Sequence, residues 1–479
     1  MGLSSTGIGS GLQVEDIVSK LVALERQPIA KLQSVALSMQ TKLSIFSQVK
    51  SMMSTLSDAA AKLSKNSTWG GMVATSSNSA AVSVSVIGAA SATSFGIGVQ
   101  QLARAQSAAS ASLGAPGASV GGGSLSIQLG TWTGTDTASP QFTEGAAGAV
   151  PVQIDAGDSL ATIASKINGA KAGVTATVLR DANGERLLVR SDSTGASSGF
   201  RIRVTEDGAA PGLSNLAFDP QGAPGAGMAA NAIQYAQNAQ ATVNGIAVES
   251  ATNTFTDTIP GLSFTASQIT TAPVEVAVGS DTETLKKNIQ DFVNAYNGLN
   301  DLLGASTKYD SASKTAGALQ GDGTTVALQN TLRSMIASTA EGTGAFQRLA
   351  DIGIDIKTGG KLEVSADKLD AALKNPEALK ALFATNVGSG SQANGLAVKM
   401  KALADQMLLP EGLLDNKASA LGASIKRNKS DQDRVDERAS IMEKRLRAQY
   451  TALDAKMASL SGLGAYVGQQ VSQWNRTNN

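Results

Sequence analysis

Apolar residues recur at helical spacing near both ends of the chain and at strand spacing between them. Val14, Ile17, Leu21 and Leu24 step by three, four and three residues, which sets them on one helix face. Pro28 interrupts that run, and proline fits the first turn of a helix, so a second helix is expected to start beside it. Leu32, Val35, Met39, Leu43, Phe46, Met53, Leu56 and Leu63 carry the stripe onward. From Ile29 to Lys65 such a helix would span ~55 Å at the helical rise, a length suited to a bundle or coiled coil. At the far end Val435, Ala439, Met442 and Leu446 open a second stripe. Tyr450, Leu453, Met457, Leu460, Gly464, Val467, Val471 and Trp474 continue it at alternating steps of three and four. The step from Leu446 to Tyr450 is a stutter, which locally relaxes a left-handed supercoil. "KRNKSDQDRVDERASIMEKRLR" mixes both charge signs, as a solvated helix face does. Each stripe alone is consistent with ordinary core packing. Two matched stripes near opposite ends favour pairing with each other.

Between them the period shortens. Residues 81–101 alternate apolar and small polar residues, a strand pattern. "GAPGASVGGG" (114–123) and "PQGAPGAG" (220–227) read as flexible joints. The unit between the joints holds a strand at 124–132 and a short helix capped by Asp158 that carries Leu160, Ile163 and Ile167. It also holds a hairpin turning at Asn183-Gly184, and Asn244-Gly245 marks another beyond the second joint. Helix resumes at Asp281 or Thr282 with Leu285, Ile289, Phe292, Tyr296 and Leu299. A helix at 324–338, a hairpin at Gly359-Gly360, a helix capped by Ser365 and one opened by Asn375-Pro376 follow. The pattern nests: helix, strands, inserted strand unit, strands, helix. The expected class is a multidomain α+β protein in which long terminal helices pair as a coiled coil or bundle and antiparallel β-rich domains are inserted between them.

Composition narrows the chemistry. The chain has 479 residues, enough for about three domains. Aromatic residues are 4% of the total, so cores are built from small aliphatic groups. Lys plus Arg equals Asp plus Glu at 39 each, which gives no global charge for nucleic acid or an anionic membrane. No stretch approaches the roughly 20 apolar residues of a membrane-crossing helix. No basic start precedes an apolar block at the N-terminus, so a conventional secretory signal is not expected. With no Cys and no His, disulfides, thiol nucleophiles, serine triads and zinc sites drop out. Enzymes using carboxylates alone, or Ser with Lys, stay open, but no acidic pair flanked by aromatics supports a glycosidase.

Individual motifs add little chemistry. Gly7, Gly9 and Gly11 do not make GxGxxG and follow no strand, so they read as a mobile tail. "GALQGDGTT" lacks the Lys of a phosphate loop and reads as a turn capping the next helix. Asp181, Glu185 and Asp192 could bind calcium, although hairpin turns carry such residues for solubility. Trp474 could anchor in a membrane, but it falls on the apolar stripe and suits packing on a partner helix.

The ordered set of motifs resembles the bacterial flagellar filament cap family, also called hook-associated protein two. "GIGSGLQVEDIVSKLVALERQP" and "SFGIGVQQLARAQS" resemble its opening, and "GDSLATIASKINGAKAGVTATVL" is similar to the hook-type motif of flagellar axial proteins. "NTFTDTIPGLSFTAS", "FVNAYNGLNDLL", "GALQGD", "LADIGI" and "LKNPEALKALF" match later blocks, and "YTALDAKMASLSGLGAYVGQQVSQW" resembles the closing helix. Gly462 and Gly464 depart from the strong helix formers expected there and suggest a frayed tip before assembly.

The resemblance implies a non-enzymatic assembly factor at the distal, extracellular tip of the flagellum. It would retain exported flagellin and promote its folding and insertion. Implied partners are its own copies in a ring, a pentamer in the family's usual form, together with flagellin, hook-filament junction proteins, the flagellar export machinery and an export chaperone. No cofactor, metal, nucleic acid or membrane insertion is implied, and the N-terminus would serve as an uncleaved export address. On this reading residues 1–45 form a leg helix paired with 435–479, and 46–78 with 280–434 form a helical stalk. Residues 79–112 with 235–279 form a β-rich head, and 113–234 an inserted outer head. Leg pairing and assembly are expected to rest on Val14, Ile17, Leu21, Leu24, Leu453, Met457, Leu460, Val467, Val471 and Trp474. The alternatives are an adhesin binding host glycans through the heads, or another axial subunit such as flagellin or a junction protein.

Overall fold

The computed structural model describes residues 13–477 apart from 114–116, 137–138, 232, 313 and 341–343. The expected export address at the N-terminus, including Gly7, Gly9 and Gly11, lies outside the described residues. The chain opens with α1 (Val14–Ser64) and the single turn α2 (Asn66–Trp69). Strands β1 (Met72–Ser76), β2 (Val82–Val86), β3 (Thr93–Gln101), β4 (Ser107–Ala109), β5 (Gly123–Thr133), β6 (Gln141–Glu144) and β7 (Val150–Ile154) lead to α3 (Leu160–Gly169). Then come β8 (Val174–Asp181), β9 (Gly184–Ser191), β10 (Gly199–Glu206), β11 (Ile233–Gln234), β12 (Ala239–Val243), β13 (Ile246–Ser250), β14 (Thr254–Ile259), β15 (Leu262–Ala266) and β16 (Val274–Ser280). Helix returns with α4 (Thr282–Thr307), and two small hairpins follow, β17 (Tyr309–Asp310) with β18 (Thr315–Ala316) and, after α5 (Gly323–Ala337), β19 (Ile354–Ile356) with β20 (Leu362–Val364). The chain closes on α6 (Ala366–Ala372), α7 (Pro376–Ala384), α8 (Leu396–Leu408) and α9 (Leu413–Thr477). These elements form two compact units, residues 1–70 with 282–479 and residues 71–281.

In the helical unit, α1 is one helix of 51 residues that runs straight through Pro28. The expected break is absent. Proline removes only its own bond to the Leu24 carbonyl, and both residues are exposed, so water can satisfy that carbonyl. The second half of α1 buries Phe46, Val49, Met53, Leu56 and Leu63 against Leu285, Ile289, Phe292, Tyr296 and Leu299 of α4 and Met400 of α8. Trp69 stacks on Phe383 at 5.7 Å and donates its indole N–H to the Leu63 carbonyl. Asn375 caps α7 through Ala378 N–H, with Pro376 in its first turn, and Asp322 caps α5 through Thr325 N–H, so "GALQGDGTT" is a capping turn. Ser365 stands at the start of α6 without a side-chain cap bond. The last helix begins at Leu413, well before Val435, and α8 precedes it. The alanine-rich first turns of α9 carry too few large apolar residues to show a stripe.

In the strand-rich unit every pairing among the described residues is antiparallel. One core lies between the sheet β1-β16-β3-β12-β13 and the sheet β14-β15-β2, with Phe255 stacked on Phe264 at 4.4 Å. A second core lies between β10-β5-β6 with β7, β11-β4-β9-β8, and α3. Trp132 packs at its centre beside Phe142 and Phe218 and donates to the Phe200 carbonyl. The strand-rich unit starts at Gly71, because β1 pairs with β16, and its second core already includes β4.

Two turns show how local chemistry sets geometry. Asn244 (φ 50°) and Gly245 (φ 84°) both take left-handed conformations between Val243 and Ile246, as the dipeptide predicts. At the other hairpin Asp181 pairs with Gly184, so Ala182 and Asn183 form the loop and Gly184 (φ 130°) starts β9. Asp158 does not cap α3. Ser159 does, through Thr162 N–H, while Asp158 accepts from Asp155 N–H and from Lys166. The glycines at 121–123 are packed chain rather than a flexible joint: a Cβ on Gly123 would lie 2.2 Å from the Thr205 carbonyl oxygen.

Candidate functional site

The two long helices of the helical unit run antiparallel, and their pairing is the feature most open to a mechanical role. Lys50 meets Asp415 at 3.2 Å near one end, and Glu15 meets Arg447 at 2.5 Å near the other. Toward α1's start the apolar seam consists of Val14, Val18 and Val22 packed on Ala439, with Leu446 and Tyr450 half-buried beside them. Steps of four residues keep the valines on one face. Alanine at 439 lets the two backbones approach closely. Farther along, Asn428 is buried in α9 and accepts from the Gln432 side-chain amide. A buried Asn in a two-helix seam fixes register at some cost in stability.

Exposed ion pairs flank the seam. Arg26 reaches Asp436 at 3.0 Å and Arg438 reaches Glu25 at 3.3 Å. Such pairs contribute little to stability but align charges along the helices. The bond from Arg447 holds the Glu15 carboxyl below its ordinary range, against slight desolvation. A depressed carboxylate pKa means stabilisation present above the unfolded value and lost as pH falls through the folded one. This end of the stem therefore loosens in acid.

The structure places the sequence-derived candidates unevenly. Val14 lies in the seam, Ile17 and Leu21 flank it half-buried, and Leu24 is 59% exposed. The buried face therefore follows Val14, Val18 and Val22, not Val14, Ile17, Leu21 and Leu24. Leu453, Met457, Leu460, Val467, Val471 and Trp474 do not pair with α1 among the described residues, and all are exposed, Leu460 at 60% and Trp474 at 73%. The reason is length. Antiparallel α1 reaches its first turn opposite Tyr450, and α9 continues for about 40 Å more. Val18 and Val22 were missed, and Ala439 was placed on the stripe but not among the pairing residues, although the charges carried a signal. Glu15, Glu25 and Arg26 read against Arg447, Arg438 and Asp436 give opposite signs in antiparallel order.

The distal part of α9 is thus a helix with an exposed apolar stripe to which Leu463 and Tyr466 add. The helix continues through Gly462 and Gly464, where an added Cβ would meet nothing within 4 Å. Contiguous exposed apolar surface of this kind marks an association site. Among the described residues no helix is long and apolar enough to cross a membrane. Among the described residues no cluster of acidic side chains could hold a metal. Asp181 pairs with Arg186, Glu185 with Arg180, and Asp192 accepts from Thr175.

Comparison with known proteins decides what this geometry belongs to. Residues 10–106 match the model of the flagellar hook-associated protein 2 N-terminus, and residues 236–462 that of its C-terminus. The flagellar hook-associated protein 2 of Escherichia coli K12 is 31% identical over 98% of both chains. The chain belongs to the flagellar hook-associated protein 2 family. Within it, the B-type protein of Pseudomonas aeruginosa PAO1 is 31% identical over 94% of both chains. The crystal structure of the D1-D2-D3 domains of the Escherichia coli flagellar cap protein FliD covers 79% of this chain and 99% of its own, at 31% identity and a TM-score of 0.54. Residues 133–193 match the flagellin hook IN motif, which here spans α3 and the β8–β9 hairpin. Relatives in this family are structural cap proteins of the flagellum.

Proposed function

We propose that this chain caps the distal end of the flagellar filament, retains exported flagellin there, and promotes its folding and insertion as the filament grows. The observation that carries the mechanism is the stem: a short valine–alanine seam continued by an exposed apolar stripe on α9. Its work is gripping and releasing, with no bond made or broken and no enzymatic step. Residues 1–45 and 435–479 act as the leg, the rest of the helical unit, 46–70 with 282–434, as the stalk, and the two strand-rich cores as heads. Leu453, Met457, Leu460, Val467, Val471 and Trp474 make the contacts of the assembled cap, to flagellin and to other copies of the chain in a ring, a homopentamer by family resemblance. Hook-filament junction proteins offer the starting site. The flagellar export machinery, served by an export chaperone, delivers the chain.

A cell lacking the gene should release monomeric flagellin into the medium and grow no filament, and a plasmid copy should restore both. Filaments of normal length in the deletion strain would refute the proposal.

A further inference from the structure

The chain contains five Asn-Gly steps, at Asn168, Asn183, Asn244, Asn297 and Asn394. At such a step the glycine nitrogen, unshielded by any Cβ, can attack the asparagine side-chain carbonyl. The fold treats the five differently. Asn168 binds both backbone groups of Ala176, donating at 2.9 Å and accepting at 2.7 Å. Asn297 does the same to Leu362 at 2.8 and 2.7 Å. Asn394 accepts from Val387 N–H and donates to the Gly388 carbonyl, while the N–H of Gly395 is tied to the Thr385 carbonyl. The first two also lie in helices, where the next N–H is committed to the ladder. Asn244 keeps one side-chain bond, accepting from Gly96 N–H at 2.8 Å.

Asn183 stands apart. It is exposed in the loop of the β8–β9 hairpin, and its bonds run through the main chain alone. Its N–H donates to Asp181 Oδ1 at 2.8 Å and its carbonyl accepts from the Ser112 hydroxyl. The side-chain amide has no partner among the described residues.

We propose that Asn183 is a site of spontaneous deamidation, selected by the fold from among the five Asn-Gly steps. The Gly184 nitrogen loses its proton and bonds to Asn183 Cγ, and the Cγ–Nδ2 bond breaks, the nitrogen leaving as ammonia with the proton it takes up. Water then opens the cyclic imide at either carbonyl, leaving aspartate or isoaspartate. The net reaction consumes one water and releases one ammonia. It adds a carboxylate beside Asp181 and Glu185, and in the isoaspartate form one extra main-chain carbon in the hairpin loop.

The test uses the full chain, folded or in denaturant, held in mildly alkaline buffer and followed by peptide mass spectrometry with isoaspartyl methyltransferase labelling. In the folded protein, conversion at Asn183 should run several-fold ahead of Asn244, with Asn168, Asn297 and Asn394 protected. In denaturant the five should converge. Comparable rates at Asn183 and Asn297 in the folded chain would overturn the proposal. So would the same lead for Asn183 in denaturant, which would assign the selectivity to sequence and not to the fold.

Discussion

Replacing Val18 and Val22 together by alanine should loosen one end of the stem and leave the rest of the helical unit intact. Both side chains are almost fully buried, against Val14 and Ala439. Each change deletes two methyl groups, worth ~0.8 kcal/mol apiece, so about 1.6 kcal/mol is lost per site. Alanine also forms helix better than valine by about 0.6 kcal/mol, which opposes the loss. The net cost is ~1 kcal/mol per site and ~2 kcal/mol for the pair, or about thirtyfold in the local opening equilibrium. Native-state hydrogen exchange reads this directly: amides of residues 18–26 should lose protection by about that factor. Residues 46–63 pack in their own large core and should keep theirs. Unchanged protection at 18–26, or equal loss along all of α1, would refute the seam as described.

Other expectations follow from the same geometry. Lowering the pH below about 4 should weaken the stem, because the depressed Glu15 pKa stabilises only the ionised form; a Glu15→Gln variant should show a flatter acid dependence by circular dichroism. Gly462→Ala with Gly464→Ala should stiffen distal α9 by roughly 0.5–1 kcal/mol per site, since each new Cβ meets open space, and slower amide exchange there is the readout. Asn297→Ala removes both bonds to the Leu362 backbone and should cost about 2 kcal/mol, seen as a lower denaturant midpoint of the helical unit.

Much of this architecture was readable where local chemistry decides it. Asn244-Gly245 makes its turn because only such residues accept two left-handed conformations in succession. Asn375-Pro376 caps its helix for equally local reasons. What was misread depended on partners distant in sequence. Pro28 signals a break in isolation, yet α1 is held on both sides of it and bridges the lost bond. Asp158 is as good a cap as Ser159 until Lys166 claims its carboxylate. Periodicity showed that both ends of the chain are striped helices. It could not show which stretch of α9 faces α1, because the stripe at 453–474 is more apolar than the paired stretch at 435–450. That excess is what a surface meant for other chains carries.

The most direct test substitutes Leu460, Val467 and Val471 by aspartate in the full chain and asks two questions of one variant. All three are exposed, so the thermal unfolding midpoint should match the parent. In a deletion strain the same variant should fail to support filaments, with flagellin lost to the medium. Normal filaments with this variant, or collapse of its fold, would contradict the account that distal α9 is the gripping surface.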